Sequence, residues 1–224
     1  MKKVLVSFLL IGITYSQSTG MFANVGESLI GIEGQYDSED VEGGSATTTS
    51  VGGAYMLNGN LEIGVFYNMG DFKNDDNSDL DFNVDGLTYG GYYHMKENET
   101  LPLSVKIGGF YGDAQASADW LDDAGAEIKT NATAFGGGVY KNIYEKDLMI
   151  IKGFFNFHSV ATEVTTEIEE NAYYYAYSDT ETDDYNSTRI GLAIRNGNVF
   201  IEPSIGRSND ESSFNVSFGF LLPQ

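Results

Sequence analysis

In Phe214-Asn215-Val216-Ser217-Phe218-Gly219-Phe220-Leu221-Leu222, large apolar side chains occupy every even position, and Asn215, Ser217 and Gly219 fall between them. A period of two is the signature of a β-strand, whose successive side chains point to opposite faces. The same rhythm recurs along the chain. Leu61, Ile63, Val65, Tyr67 and Met69 oppose Glu62, Gly64, Phe66 and Asn68. Leu103, Val105, Ile107 and Tyr111 oppose Ser104, Lys106, Gly108 and Phe110. Ile151, Gly153, Phe155 and Phe157 oppose Lys152, Phe154, Asn156 and His158. Thr188 to Arg195 and Val199 to Gly206 repeat it. Ten strands are expected, near 28–37, 46–57, 60–70, 82–95, 102–112, 131–141, 149–162, 185–195, 198–207 and 213–222. A further strand over Met21–Val25 is the main alternative, and eight or twelve strands stay open.

Composition agrees with an all-β chain. Among 224 residues are 27 glycines, 15 tyrosines and 14 phenylalanines, but only 3 prolines. That mix disfavours helices and suits many strands with close backbone approaches. A net charge of -21 opposes binding to phosphate backbones, so nucleic acid is not an expected partner. The chain has no cysteine. Disulfides, thiolate chemistry and Cys-ligated zinc are thereby excluded. No cofactor is expected.

The first residues read as a processing signal. Lys2 and Lys3 precede an apolar run from Val4 to Ile13, and Thr14 and Ser16 stand at -3 and -1 of a cleavage site before Gln17. The run is too short to span a bilayer as a helix and has the layout of a secretory signal peptide. Residues 1–16 are expected to be removed, with cleavage after Ser18 as the alternative. Residues 17–224 then form one barrel domain.

The links between strands are expected to alternate in length. Asn58-Gly59-Asn60 and Asn196-Gly197-Asn198 carry the Asn-Gly pair that supplies positive φ to a tight hairpin turn. Links at 96–101 and 142–148 are also short. Those at 38–45, 71–81, 113–130, 163–184 and 208–212 are longer. With their flanks the longer links hold 24 of the 33 acids, eight of them in 163–184 alone. One short, nearly neutral rim and one long, acidic rim are what an up-and-down antiparallel transmembrane β-barrel produces.

A soluble barrel hides its apolar face, and a membrane barrel inverts this. The polar faces of these strands carry Glu33, Glu62, Lys106, Lys152, Arg189 and Glu202, accompanied by glycine, serine and alanine. Three acids and three bases among small residues suit a narrow lumen in which opposite charges pair. The opposite face offers Tyr55, Tyr67, Tyr89, Tyr93, Tyr111, Phe135, Phe155 and Phe157 to lipid.

The export signal, the hairpin rhythm and the aromatic last strand together resemble the small outer-membrane β-barrel proteins of Gram-negative bacteria. The resemblance spans about residues 20–224. It implies a place in the cell outer membrane, outer-membrane lipid as solvent, and recognition of the last strand by the barrel-insertion machinery. The chain departs from the group in ending Phe220-Leu221-Leu222-Pro223-Gln224 rather than on an aromatic residue. The group shares an architecture and not one activity, so no catalytic residue is carried over. A monomer is expected.

Chemistry is sparse. His94 and His158 are the only histidines, and His158 with a loop acid is the one dyad that sequence allows. No catalytic residue is assigned, and the expectation is that the chain is not an enzyme. Trp120 and the aromatic run Tyr173, Tyr174, Tyr175 and Tyr177 are candidates for loop interactions. Acids such as Glu167, Glu169, Glu170, Asp179 and Asp183 suggest weak calcium or magnesium binding at the outer rim, without the spacing of a dedicated calcium loop. The functional reading is a structural or interaction barrel presenting acidic loops. A narrow pore or carrier for small solutes is the alternative. A soluble secreted β-domain and a membrane-embedded hydrolase rank lower.

Overall fold

The computed structural model describes residues 18–41, 43–168, 176–208 and 211–223. Ten strands close into one barrel in which every strand pairs with its neighbours in sequence and the first pairs with the last. They are β1 (Leu29–Val41), β2 (Gly44–Leu57), β3 (Leu61–Asn74), β4 (Phe82–Met95), β5 (Ser104–Ser117), β6 (Ala126–Lys146), β7 (Met149–Ile168), β8 (Tyr177–Asn196), β9 (Val199–Ser208) and β10 (Glu211–Pro223). Two short α-helices, α1 (Ser18–Phe22) and α2 (Asp119–Ala124), and one 3-10 turn (Ser78–Leu80) accompany them. Every pairing is antiparallel. Leu29 lies opposite Pro223 in the closing pair, which places the start of β1 and the end of β10 at the same rim. Closure leaves no sheet edge within the barrel wall, as a sheet crossing lipid requires.

The wall is inverted relative to a soluble barrel. Ile63, Val65, Tyr67, Tyr89, Ile107, Phe135, Phe155, Ile190, Ile205, Phe214, Phe218 and Phe220 are exposed on the outside. Glu33, Gln35, Asp37, Glu62, Asn68, Thr88, His94, Lys106, Asn156, Arg189, Glu202 and Asn215 are buried inside. An apolar exterior and a polar interior are stable only where the surrounding solvent is hydrocarbon.

The ten strands expected from sequence are present, but their outer ends run further. β1 reaches Val41 and β2 begins opposite it at Gly44, so most of the expected 38–45 link is strand. Likewise β9 reaches Ser208 and β10 begins opposite it at Glu211, inside the expected 208–212 link. Most of the expected 163–184 loop is strand, since β7 reaches Ile168 and β8 begins at Tyr177. Strand-forming threonines, valine and isoleucine among these acids carry the ladder outward; charge had marked the segment as loop, though charged side chains sit easily on a strand face in water. The inner 142–148 link also shortens, because β6 continues to Lys146 through a register shift between Asn142 and Tyr144. The Asn58-Gly59 turn has positive φ at both residues, 52° and 69°, as the hairpin chemistry requires. The alternative strand over Met21–Val25 does not form. That segment supplies the end of helix α1 and the connection to β1.

Because β6, β7 and β8 have 21, 20 and 20 residues, they outrun the roughly 10 residues that span a membrane as tilted strands. The surplus projects about 20 Å beyond the outer rim at the usual strand rise and tilt. On one flank the ladder to β9 ends at Ser187 opposite Ser208, while β8 continues outward beside β7 to Tyr177 opposite Ile168.

Candidate functional site: a plugged lumen beneath an acidic overhang

Helix α1 sits inside the barrel at the short-turn end. Its residues Thr19, Met21 and Phe22 are buried. Five residues cannot hold a helix by themselves, and the wall supplies the partners. At the helix N-terminal end, Thr19 Oγ1 donates to Glu33 Oε1 at 2.8 Å, and the Gly20 N–H donates to Glu62 Oε1 at 2.9 Å. At its C-terminal end the orphan carbonyls meet cations. Lys96 Nζ donates to the Gly20 carbonyl, Lys152 Nζ to that of Met21 at 2.6 Å, and Arg195 Nη1 to that of Phe22 at 3.5 Å. Acids at the positive end and bases at the negative end match the helix dipole. Gly20 and Gly31 are needed for the fit: a Cβ on Gly20 would strike His94 and Glu62, and one on Gly31 would strike Thr19 Oγ1. Met21 and Phe22 pack with Tyr140, Phe154, Ala193, Phe200 and Leu221. Lys96 lies outside the spanning strands. Burial, with Lys152 nearby, pushes its ammonium pKa down to about 7.

Above the plug lies a polar layer. Glu62 holds His94 through Oε2 at 2.9 Å, and His94 Nδ1 lies 3.0 Å from the Tyr140 hydroxyl. His158 Nε2 meets the Tyr92 hydroxyl at 2.6 Å. Lys106 Nζ lies 5.1 Å from the centre of the Tyr92 ring, a cation–π distance. Arg189 Nη2 donates to Asp37 Oδ2 at 3.2 Å, and the same oxygen accepts from Asn215 Nδ2 at 3.1 Å. Ser50, Asn68 and Thr88 form a further chain of side-chain hydrogen bonds. Nearer the outer rim the interior turns apolar, with Phe66, Phe72, Phe82, Phe110, Ile128, Val160, Val164 and Tyr185 in one cluster. Leu121 of α2 joins this cluster, and Trp120 Nε1 donates to the Asp81 carbonyl at 3.3 Å, tying α2 across to the start of β4.

All six charged residues expected in the lumen lie on its inward side. Glu33, Glu62, Lys106, Arg189 and Glu202 are buried, and Lys152 is half-buried near the short-turn rim. Their contacts extend beyond the six. Glu33 meets Thr19, Glu62 meets His94 and Gly20, Lys152 meets Met21, and Arg189 meets Asp37. Sequence reasoning missed Asp37, Glu39 and the plug. Asp37 and Glu39 share the parity of Glu33: Asp37 closes the expected 28–37 strand, and Glu39 lies two residues beyond it. The plug left no periodic signal.

The candidate loop residues divide. Trp120 is half-buried as a loop tie, Tyr177 is exposed at the start of β8, and Tyr173, Tyr174 and Tyr175 lie outside the described residues. Glu169 and Glu170 also lie outside them. Glu167 pairs in register with Ser178, whereas Asp179 is opposite Thr166 and Asp183 opposite Thr162. Glu167 is therefore on the opposite face of the overhang from Asp179 and Asp183. Among the described residues, no three His, Asp or Glu side chains are grouped to hold a metal ion. His158 points into the lumen toward Tyr92, not toward a loop acid.

The sequence matches no protein-family model and no curated protein. The fold is that of outer-membrane β-barrels. It is similar to the translocator domain of the autotransporter NalP from Neisseria meningitidis, with TM-score 0.51, 14% identity, and coverage of 98% of this chain and 92% of that one. The outer membrane protease OmpT from Escherichia coli aligns at TM-score 0.47 and 12% identity, covering 88% of this chain and 95% of that one. The β domain of the Bordetella autotransporter BrkA aligns at TM-score 0.49 and 9% identity, covering 87% and 99%. At these identities the likeness is one of fold.

Proposed function

We propose that this protein is a structural or interaction barrel of the outer membrane, closed to solutes and without catalytic activity, that displays an acidic sheet outside the cell. The observation that carries the reading is the filled lumen. Helix α1 occupies the short-turn end, a hydrogen-bonded polar layer follows, and a cluster of phenylalanines lies beneath the outer rim. A ten-stranded wall is narrow enough for side chains to fill it, and a conducting path would need a continuous polar channel.

The overhang of β6–β8 supplies the displayed surface. Glu127, Glu163, Glu167, Asp179, Glu181, Asp183 and Asp184 stand on it, with Lys129 paired to Glu127 at 2.8 Å. Such a field favours cationic partners and repels anionic ones. Divalent cations would be held there loosely and exchange fast. Liposome swelling tests the closed lumen. Vesicles containing the refolded protein should stay impermeable to small sugars and amino acids. Swelling that scales with protein content would make the chain a pore instead.

A further inference from the structure

On the outside of the wall the apolar band stops at a definite level. Along β4 the outward side chains Met95, Tyr93, Tyr89 and Leu87 give way to Asp85 and Asn83. Along β5, Ile107 and Tyr111 give way to Asp113 and Gln115, and along β6 Phe135 gives way to Asn131 and Lys129. Such a step marks the height at which hydrocarbon meets the lipid headgroups. A groove of about 480 Å³ straddles it. Register sets Leu87 opposite both Tyr67 and Asp113, and Gln115 opposite both Asp85 and Lys129. Tyr67 and Leu87 thus form its apolar side, and Asp85, Asp113, Gln115 and Lys129 its polar side.

Acceptors outnumber donors in this groove. Lys129 Nζ lies 2.8 Å from Glu127 Oε2, Gln115 Nε2 donates to Glu127 Oε1 at 2.8 Å, and the Tyr111 hydroxyl donates to Asn131 Oδ1 at 3.0 Å. Tyr67 directs its hydroxyl at Asp85. An ionised carboxylate accepts at both oxygens and donates nothing, so Asp85 and Asp113 call for a ligand rich in N–H. Among the described residues no three His, Asp or Glu side chains are grouped to ligate a metal ion. Two carboxylates on neighbouring strands beside an apolar wall suit an organic cation with a greasy extension instead. A volume of this size is that of a small-molecule site.

We propose that this groove seats the headgroup of a membrane lipid that carries a primary ammonium beside its phosphate. The ammonium sits between Asp85 and Asp113, the phosphate turns toward Lys129, and the acyl chains run down the wall past Tyr67 and Leu87. The occupant follows from position, because the groove is continuous with the lipid-facing band. Its chemistry follows from charge. A primary ammonium offers three N–H donors to these carboxylates, whereas a trimethylated one offers none. At the edge of the hydrocarbon the attraction is also screened less than in bulk water. The site lies on the outside of the barrel at the foot of the overhang and is independent of the closed lumen.

The test offers the refolded protein equal amounts of phosphatidylethanolamine and phosphatidylcholine with identical acyl chains in detergent, and reads the retained lipid by native mass spectrometry. The ethanolamine lipid is expected to be retained about tenfold over the choline lipid, the difference that one charge-assisted hydrogen bond makes. Equal retention would overturn the proposal. The double variant Asp85→Asn with Asp113→Asn removes the charges and keeps an acceptor for Tyr67. It should bring the ratio close to one while its migration on a gel stays heat-modifiable. A ratio unchanged in the folded double variant would overturn the assignment to this groove. Phosphoethanolamine without acyl chains, at the same concentration, should fail to displace the bound lipid, and displacement would overturn the lipid as occupant.

Discussion

Glu62 divides its carboxylate between the wall and the plug: Oε2 lies 2.9 Å from His94 Nε2 on β4, and Oε1 accepts the Gly20 N–H of α1 at 2.9 Å. One side chain of β3 thus couples the orientation of a buried histidine to the seating of the N-terminal helix. Replacing Glu62 with Ala leaves a buried backbone N–H and an imidazole nitrogen short of a partner, at a cost of about 1–3 kcal/mol for the unsatisfied donor. Equilibrium urea unfolding in phospholipid vesicles should register the loss, with Glu62→Gln falling between Ala and the parent.

The Arg189–Asp37 pair is buried on both sides. Removing one charge strands the other. Arg189→Met is expected to destabilise the barrel by about 3–5 kcal/mol. The double replacement Arg189→Met with Asp37→Leu should recover most of that loss, because both buried charges are then gone. If the double variant is as unstable as the single one, the pair is not the source of the effect. The same unfolding assay reads both.

Lys96 gives a pH signature. Its ordinary pKa of 10.5 is lowered to about 7 in the folded protein, first by burial and then by Lys152. Between those two values the unfolded chain binds more protons than the folded one, so folding stability rises with pH across that window. Below about pH 7 both states are protonated and the penalty is fully present. The unfolding midpoint should therefore climb from neutral to alkaline pH. Subtracting the profile of Lys96→Met isolates the contribution. A difference profile that is flat across the window would contradict the buried position of this lysine.

Orientation follows from the rims. The absence of cysteine makes single-cysteine labelling clean. Asp76→Cys, in the β3–β4 link, should react with an impermeant maleimide on intact cells. Glu99→Cys, in the β4–β5 link, should react only after the outer membrane is opened. The reverse pattern would invert the barrel.

Much of this architecture was legible because strand parity is rigid. Once Phe214, Phe218 and Phe220 are placed outward, Asn215, Ser217 and Gly219 must be inward, and the same rule sends Glu33, Glu62, Lys106, Arg189 and Glu202 inside. Register was not legible, since alternation says which face a residue takes and not which neighbour it meets. The pairing of Arg189 with Asp37, across β8 and β1, needed the closed sheet. Acidity concealed the outer strand ends: Asp179, Glu181 and Asp183 belong to β8 yet read as loop. The plug was hidden for a different reason. A five-residue helix has no usable period, and Thr19–Phe22 owes its shape to Glu33, Glu62, Lys96 and Lys152 rather than to its own propensity.

The proposed closure of the lumen is tested most directly by single-molecule current recording across a planar bilayer. The refolded protein is expected to insert without steady current at moderate voltage, because α1 and the phenylalanine cluster obstruct the path in series. Removing residues 18–23 should leave the outer apolar cluster in place and still give no stable open state. A reproducible, long-lived conductance step from the intact protein would contradict the account and make the barrel a channel.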